Sequence, residues 1–312
     1  MSVYAGPTRA DLEQLRRRPI VVCSHPRSGT HLTIDLLRRH FRDCSHWKLP
    51  GEDMTLLSPD LDATTRVGTP RAVKRFLTSL ARAKRPIVKT HRLVSDFFGP
   101  FDADAEPMPD LALWLRENAD FCYAARDGRE VMASYHLYRR SFDDQANCPI
   151  GDFLRQDSGD GRSRVAYWRH HVDDGLQSEQ ALALLFHETV KDTQAQLEAL
   201  GEHLKMAPVL KQPLLPRPIR TGTDYRVARL MGFRPPSTAR PGRSGRPKKW
   251  WDLFSPEDRE FFAAESGDTL VRLGVETSPD WAVSPSQLSS PKADSAEPDA
   301  SPGIAQAEQP TT

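Results

Sequence analysis

The sequence lacks long apolar runs. No segment approaches the roughly 20 consecutive apolar residues that a membrane-spanning helix needs. The first residues, MSVYAGPTRADLEQLRRRP, contain no apolar stretch of the length found in signal peptides. We therefore expect a chain that neither crosses a membrane nor is secreted.

Cysteine is scarce, and the four cysteines show no metal-ligand or redox spacing. Cys23 and Cys122 lie inside apolar segments typical of strands, whereas Cys44 and Cys148 stand alone. This distribution excludes a disulfide-rich scaffold and favours a reduced protein in the cytoplasm.

An excess of either charge is also missing, because 43 Lys and Arg residues face 42 Asp and Glu residues, for a formal net charge of +1. This balance excludes a globally basic nucleic-acid-binding protein and a strongly acidic solvating protein. We expect no nucleic-acid partner, and any site for an anion must be local.

What the sequence does contain is a series of short apolar segments, each followed by polar residues. Four of them are predicted strands: the segment PIVVC before Ser24, and residues 86–90, 119–125 and 182–187. Helical periodicity over 29–42, 128–141 and 188–203 follows the first, third and fourth strands. This alternation predicts an α/β fold with a central, mainly parallel sheet flanked by helices, whose ligand sites lie at the carboxyl ends of the strands.

The two ends of the chain differ from its middle. Residues 1–18 are a charged lead-in with a predicted short helix over 2–18, and residues 19–276 form the single predicted domain. Its last helix is predicted to start after Ser255, which is a good N-cap followed by proline, and to end near Gly274. Pro, Ser and Ala dominate residues 277–312, which we expect to be a disordered tail because such a composition buries too little apolar surface.

The segment Ser24-His25-Pro26-Arg27-Ser28-Gly29-Thr30 lies between the first strand and the helix that follows it. In that position, successive backbone N–H groups and a helix N-terminus can surround a phosphate. The Walker A pattern of ATPases would require Gly, Lys and a hydroxyl residue where Ser24, Thr30 and His31 stand. An anion site is therefore predicted here, without the lysine and the magnesium-binding hydroxyl of an ATPase.

Residues 26–30 resemble the Pro-Lys/Arg-Ser-Gly-Thr loop of the sulfotransferases that use 3′-phosphoadenosine 5′-phosphosulfate (PAPS). The resemblance covers about residues 19–273 and implies a P-loop-like three-layer fold. It also implies that the loop binds the 5′-phosphosulfate end of PAPS, the co-substrate, with no metal expected. The residues implied to bind are Pro26, Arg27, Ser28, Gly29, Thr30 and His31.

Two further segments resemble the family's 3′-phosphate site. Arg126 at the end of the third strand and Ser134 in the next helix are similar to the Arg and Ser, eight residues apart, that hold this phosphate. The run Arg243-Ser244-Gly245, with Trp250 and Phe254 after it, resembles the basic glycine loop that closes over it. Ser244 departs from the usual lysine, and Arg246, Lys248 or Lys249 are the cations that can replace the missing charge.

Lys89-Thr90-His91 follows the second strand and is similar to the Lys-Thr-His segment of cytosolic sulfotransferases. The resemblance implies that His91 is the general base that removes the acceptor proton and that Lys89 contacts the transferring sulfuryl group. An imidazole suits this role because its pKa lies near working pH. Arg27 stands where the family often has lysine and is expected to stabilise the leaving group, although a guanidinium does not donate a proton at neutral pH.

Adenine binding is the part of the resemblance with most departures. Leu32 replaces a Trp that stacks on adenine in many cytosolic members, and His187 stands where Tyr is common. The Trp168-Arg169-His170-His171 segment matches a family Trp-x-x-His spacing, which we interpret as packing residues or residues behind the site. A zinc site at the histidine pair is disfavoured because no Cys or carboxylate stands at ligand spacing.

The sequence therefore predicts a sulfotransferase that moves the sulfuryl group of PAPS to a hydroxyl or amine of a small-molecule, lipid or sugar acceptor by in-line displacement. Two alternatives remain. One is a pseudoenzyme that binds the nucleotide as a sensor or scaffold, which the departures at Ser244 and Leu32 leave open. The other is a P-loop kinase-like phosphotransferase, which the missing lysine and hydroxyl after Gly29 disfavour.

Overall fold

The structure is a computed structural model and describes residues 6–45, 58–100, 102–104, 106–215 and 249–282. Four parallel strands form its sheet in the order β2-β1-β3-β4. They are β1 (Ile20–Cys23), β2 (Ile87–Thr90), β3 (Asp120–Ala125) and β4 (Ala181–Leu185). The predicted α/β fold with a parallel sheet and flanking helices is confirmed. The fourth strand ends at Leu185, two residues before its predicted end, because residues 186 and 187 are helical.

The sheet is buried on both faces, as its continuous apolar strands require. All four residues of β1 are fully buried, and alternate residues contact opposite clusters. Val21 and Cys23 belong to the larger cluster, whereas Ile20 and Val22 pack with the helix after β1. The period of two along a strand thus divides the core into two layers.

Among the described residues up to 215, eleven α-helices follow one another. Their bounds are α1 Arg9–Glu13, α2 Thr30–His40, α3 Leu61–Val67, α4 Pro70–Arg82, α5 Ser95–Phe98, α6 Pro109–Asn118, α7 Gly128–Arg139, α8 Ile150–Arg155, α9 Arg164–Gln177, α10 Phe186–Lys191 and α11 Thr193–Leu204. Two more described helices, Trp250–Leu253 and Pro256–Arg272, follow residue 249. Short 3-10 turns cover Arg42–Cys44 and Asp144–Ala146.

Several helix bounds follow from capping groups. Asp60 accepts a hydrogen bond from the Ala63 N–H and starts α3, and Thr69 with Pro70 starts α4 in the same way. The predicted helix over 188–203 is instead two helices, because the Asp192 side chain accepts from the Ala195 N–H and starts α11 anew. The last helix starts after the Ser255 cap, as predicted, with a reciprocal Ser255–Asp258 capping box.

Ordered packing extends beyond both predicted edges of the domain. Leu12 on α1 is fully buried, and Trp281 is 3% exposed within the same apolar cluster as β1 and β3. The described lead-in helix covers only Arg9–Glu13 of the predicted 2–18. Residues 277–282 therefore pack on the domain, whereas residues 216–248 and the rest of the predicted tail lie outside the described residues.

Within the described ranges, no helix combines the length and the apolar character that crossing a bilayer requires.

Candidate active site

Each of the four strands ends at the same edge of the sheet, and a predicted site residue or a neighbour of one follows each strand directly. Ser24 follows β1, His91 follows β2, Arg126 follows β3 and Phe186 follows β4. Since parallel strands share a carboxyl edge, three segments converge there. They are residues 24–30 (the phosphate loop), residues 89–91 (the Lys-Thr-His segment) and residues 126–134 (the Arg126 segment).

The phosphate loop, residues 24–30, has a backbone shape that suits an anion. Arg27 and Gly29 both have positive φ, at 74° and 109°, and the conformation of Arg27 is uncommon for a residue with a side chain. Helix α2 starts at Thr30 with Gly29 as its N-cap, and no side chain caps it. Its first N–H groups can therefore bind an anion.

The Ser28 hydroxyl supports this assignment. Ser28 is fully buried, and its Oγ has no hydrogen-bond partner among the described residues. A buried hydroxyl without a partner is costly, so a ligand that binds it removes that cost. Behind it, the hydroxyls of Ser24 and Thr30 lie 2.5 Å apart and close the base of the loop.

The remaining loop residues have definite places. The Pro26 carbonyl accepts a hydrogen bond from His25 Nδ1 at 2.9 Å, which holds the loop to its own strand end. His31 is half-buried in the first turn of α2. Leu32 is partly buried against the apolar cluster behind that helix, where its side chain contributes to the core.

The two predicted phosphate sites are joined directly. Arg27 Nε donates to Ser134 Oγ at 3.0 Å, and the Arg27 guanidinium lies 5.2 Å from the centre of the Tyr138 ring. Arg126 pairs with Glu130 at 2.5 Å and lies over the Phe186 ring at 4.3 Å. Burial lowers the pKa of Arg27, and the nearby positive charge of Arg126 acts in the same direction. Two guanidinium groups whose charges act on each other favour a bound anion nearby.

His91 is attached to the phosphate loop. Its Nδ1 lies 2.6 Å from the Ser24 carbonyl oxygen, and its backbone N–H donates to Asp62 Oδ2 at 2.6 Å. A carbonyl oxygen only accepts, so Nδ1 carries the proton and Nε2 of the neutral ring carries the lone pair. Burial lowers the pKa of His91 first, and the positive charge of Lys89 lowers it further. The ring is thus neutral at neutral pH, as a general base must be.

Lys89, two residues before His91, has a fixed partner. Its Nζ donates to Asp60 Oδ2 at 2.7 Å, and Asp62 Oδ1 accepts from the Thr90 hydroxyl at 2.7 Å. Burial opposes the ionisation of Asp60, but the Lys89 ammonium and the Ala63 N–H together outweigh it and keep the pKa of this carboxyl below its usual value. Asp60 and Asp62 therefore hold all three residues of the Lys-Thr-His segment.

The third predicted phosphate element, Arg243-Ser244-Gly245, lies outside the described residues, as do Arg246 and Lys248. The residues after it are described. Trp250 packs edge-on against Phe254 and against Trp281, and the buried Arg129 guanidinium lies 4.4 Å from the centre of the Trp250 ring. This contact places Trp250 next to Arg129, which lies three residues after Arg126.

Arg129 fixes the turn that follows Arg126. It is 4% exposed and pairs with Asp127 and Glu276. The two tryptophan rings, Trp250 and Trp281, lie 4.4 and 4.5 Å from its guanidinium carbon. The turn and the C-terminal segment are therefore held by one buried cation.

His187, predicted to help bind adenine, lies half-buried in the first turn of α10 rather than on β4. The more informative neighbour is Phe186, which sequence analysis did not single out. A Cβ on Gly29 would lie 3.1 Å from Phe186 Cδ2, and the same ring lies under Arg126. Phe186 therefore connects the phosphate loop to the Arg126 segment.

Asp60 and Asp62 were also not predicted as site residues. The sequence signal for Asp60 was its position as the N-cap of the helix that became α3. Nothing in the sequence pattern could indicate that Asp62 reaches His91. Across the described ranges, no group of three His, Cys, Asp or Glu side chains is arranged to hold a metal ion.

The fold and this edge of the sheet define a P-loop-like α/β protein with a strand-to-helix loop beside a buried histidine. The family model for the sulfotransferase domain matches residues 17–208. The chain belongs to the sulfotransferase domain family and is an enzyme of that class, so the family predicted from the sequence is confirmed.

Solved structures similar to this one have low sequence identity to it. Mouse sulfotransferase SULT7A1 complexed with PAP has 15% identity, with 86% of this chain and 92% of that chain covered and a TM-score of 0.47. Retinol dehydratase in a complex with retinol and PAP has 17% identity, coverages of 86% and 83% and a TM-score of 0.46. Sulfotransferase STF9 from Mycobacterium avium has 14% identity, coverages of 83% and 78% and a TM-score of 0.41. No curated protein sequence matches the chain.

Proposed function

We propose that this sulfotransferase uses PAPS as donor and transfers its sulfuryl group to a hydroxyl or amine of an acceptor, with His91 as general base. The observation that carries the proposal is the 2.6 Å hydrogen bond between His91 Nδ1 and the Ser24 carbonyl. This bond fixes the base to the loop that would hold the donor. The lone pair of Nε2 is thereby available beside the site of the transferring group.

The donor site is proposed to combine the phosphate loop with Arg126 and Ser134. The partnerless Ser28 hydroxyl and the uncapped N-terminus of α2 suit the 5′-phosphosulfate. Arg126 and Ser134 suit the 3′-phosphate, because a guanidinium and a hydroxyl are strong donors to such an oxyanion. Arg243, Ser244 and Gly245 are proposed to complete this site.

The reaction is proposed as an in-line displacement at sulfur. As the acceptor oxygen or nitrogen forms its bond to sulfur, its proton passes to His91 Nε2. The bond from sulfur to the bridging oxygen breaks, and its electron pair leaves with the nucleotide. Arg27, and Lys89 once its ammonium turns from Asp60, supply the positive charge that stabilises the developing negative charge.

Label transfer tests the activity. The full-length protein is incubated with PAPS labelled in the sulfuryl group, a pool of phenols, alcohols, amines and glycans, and a chelator. We expect label to move to an acceptor in the pool. Tight binding of the desulfated nucleotide PAP without any transfer would indicate the pseudoenzyme, and hydrolysis or transfer from ATP that requires magnesium would indicate the kinase-like alternative.

The acceptor class is proposed to be a small molecule, lipid or sugar. A library screen in which PAP is present, with protection against heat as the readout, selects compounds that bind beside the nucleotide. A hit must then accept label in the transfer assay. We also propose that the enzyme acts in the cytoplasm as one catalytic domain over about residues 19–276, and fractionation of the producing cells tests the location.

A further inference from the structure

A chain of buried hydrogen bonds runs behind His91. The Tyr123 hydroxyl lies 2.9 Å from His171 Nδ1, and His171 Nε2 lies 3.1 Å from the His91 carbonyl oxygen. Tyr123 and His171 are both fully buried. The chain therefore connects β3 and α9 to the segment that follows β2.

The direction of each bond follows from the groups that take part. The His91 carbonyl only accepts, so His171 Nε2 must carry a proton. Burial lowers the pKa of His171 to about 4, so the ring is neutral and its Nδ1 carries a lone pair. The Tyr123 hydroxyl donates to that lone pair and shares its proton with the His171 carbonyl, which also lies 2.9 Å away. A single tautomer of His171 satisfies every partner.

The Tyr123 ring has no room to move away from this arrangement. A Cβ on Gly175 of α9 would lie 2.4 Å from the ring, so the helix can approach the strand only because glycine stands there. Burial also raises the pKa of Tyr123 well above its usual value. Its hydroxyl therefore stays a donor throughout the pH range in which the enzyme can work.

We propose that His171 and Tyr123 are positioning residues for His91, with the Tyr123 hydroxyl selecting the His171 tautomer that holds the His91 backbone carbonyl. This inference rests on the proposed role of His91. The backbone of His91 is held at its N–H by Asp62, at its carbonyl by His171, and through its ring by the Ser24 carbonyl. These three bonds fix the direction of Nε2 relative to the phosphate loop.

Several other ionisable groups lie around the His171 ring and affect its titration. The His25 ring lies 5.7 Å away on the phosphate loop, and Tyr167 lies on the same helix with its ring centre 6.1 Å from that of His171. The Asp174 carboxylate, which accepts from the Val94 backbone N–H, also acts on the ring. Burial lowers the pKa of both rings, and the charge that His91 would carry lowers that of His171 further, so both rings are neutral at neutral pH.

The test compares three variants with one control. His171→Leu removes the donor, His171→Gln keeps an N–H that can reach the same carbonyl, and Tyr123→Phe removes only the hydroxyl. His203→Leu is the control, because His203 Nε2 lies 2.9 Å from the Phe121 carbonyl at the opposite end of β3. The control variant deletes an imidazole-to-backbone hydrogen bond on β3, the strand that also carries Tyr123, and leaves the residues around His91 unchanged.

We expect kcat for label transfer to fall by roughly 10- to 100-fold in His171→Leu, because small misplacements of a catalytic group are this costly. Tyr123→Phe should cost about fivefold, in line with the loss of one buried hydrogen bond. His171→Gln should restore part of the rate, and the affinity for PAP should be unchanged in all variants. The control should leave both kcat and PAP affinity unchanged.

Two results would overturn the inference: a kcat loss in His171→Leu no larger than in the control, or a parallel loss of PAP affinity. If His171→Leu does not fold, Tyr123→Phe and nitrogen NMR of the ring decide. The NMR spectrum of the wild-type protein at pH 7 should show His171 as the neutral Nε2–H tautomer, and the Nδ1–H tautomer or a charged ring contradicts the inference. An inactive wild-type protein contradicts the proposed function instead, and the NMR result then still decides the tautomer.

Discussion

Arg27 and Ser134 are joined by a hydrogen bond of 3.0 Å from the guanidinium Nε to the hydroxyl. One residue belongs to the loop after β1, and the other lies in the second turn of α7. Each was assigned by sequence to a different end of the nucleotide. Their contact means that the two proposed phosphate sites are adjacent. A phosphate that binds Ser134 would therefore also affect Arg27, which donates to the same hydroxyl.

Removing the Ser134 hydroxyl is expected to weaken nucleotide binding. Ser134→Ala deletes a donor to the proposed 3′-phosphate, and a hydrogen bond to a charged group contributes about 1.5 to 3 kcal/mol. The dissociation constant of PAP, measured by calorimetry, should rise by about tenfold or more. Ser141→Ala is the matched control, since Ser141 donates only to the Tyr138 carbonyl near the end of the same helix. Equal affinities for the two variants would contradict the assignment.

Substitution of Gly29 has two expected effects, one from its positive φ and one from its contact with Phe186, and a control variant distinguishes them. Gly29→Ala must adopt a positive φ and also meets Phe186 at 3.1 Å, whereas Gly159→Ala has a similar φ of 103° with nothing within 4 Å. Both variants should lose about 1 kcal/mol or more of stability, because the left-handed conformation is unfavourable with a side chain. Only Gly29→Ala should also lose affinity for PAP. A similar affinity loss in Gly159→Ala would mean that Gly29 has no special role.

The sequence was informative where structure is local and less so where contacts are long-range. The strand before Ser24, the turn at Gly29 and the helix after it are neighbours in the chain, so apolar pattern and turn residues predicted them. The shared sheet edge predicted that His91 lies near the loop. The contact of Asp62 with the His91 backbone depends on how α3 packs, which no periodicity encodes.

The C-terminal boundary of the domain is another place where the sequence did not predict a long-range contact. Trp281 lies in a segment rich in Pro and Ser, and composition alone predicted disorder there. The buried Arg129 guanidinium supplies a packing partner from a distant part of the chain. Composition describes what a segment can bury by itself and does not include a partner supplied by tertiary structure.

Acid should destabilise the protein through its buried histidines. Burial lowers the pKa of His171 from 6.5 to about 4, and those of His25 and His91 are also lowered. Between pH 6.5 and 4 the unfolded chain binds more protons than the folded one, so the free energy of unfolding falls as pH falls. His171 alone should contribute a loss of about 3 kcal/mol across this range.

Urea unfolding at several pH values measures this effect. The slope between pH 6.5 and 4 should be shallower in His171→Gln than in the wild-type protein, since the variant has one fewer titrating imidazole. Carboxylates such as Asp60, whose pKa is lowered, add a loss in the same direction in acid, and they do so equally in both proteins. Identical slopes would show that the His171 ring titrates normally when folded.

The Arg129 contacts should be a major source of stability. Arg129→Met leaves Asp127 and Glu276 without their buried cation, and breaking such a pair costs about 3 to 5 kcal/mol. Arg162→Met is the control, because its pair with Asp160 is 45% exposed on the arginine side and should contribute less than about 1 kcal/mol. Thermal unfolding compares the two variants. Equal losses of stability would contradict the role given to Arg129.

The central claim is that His91 is a base held beside a nucleotide site, and one substitution tests it most directly. His91→Gln keeps a hydrogen-bonding side chain of similar length but has no group that can take up the acceptor proton. Transfer of label from PAPS should fall by roughly 100- to 10,000-fold, as the loss of a general base predicts, while calorimetry with PAP shows unchanged affinity. Transfer at the wild-type rate by the His91→Gln protein would contradict the account.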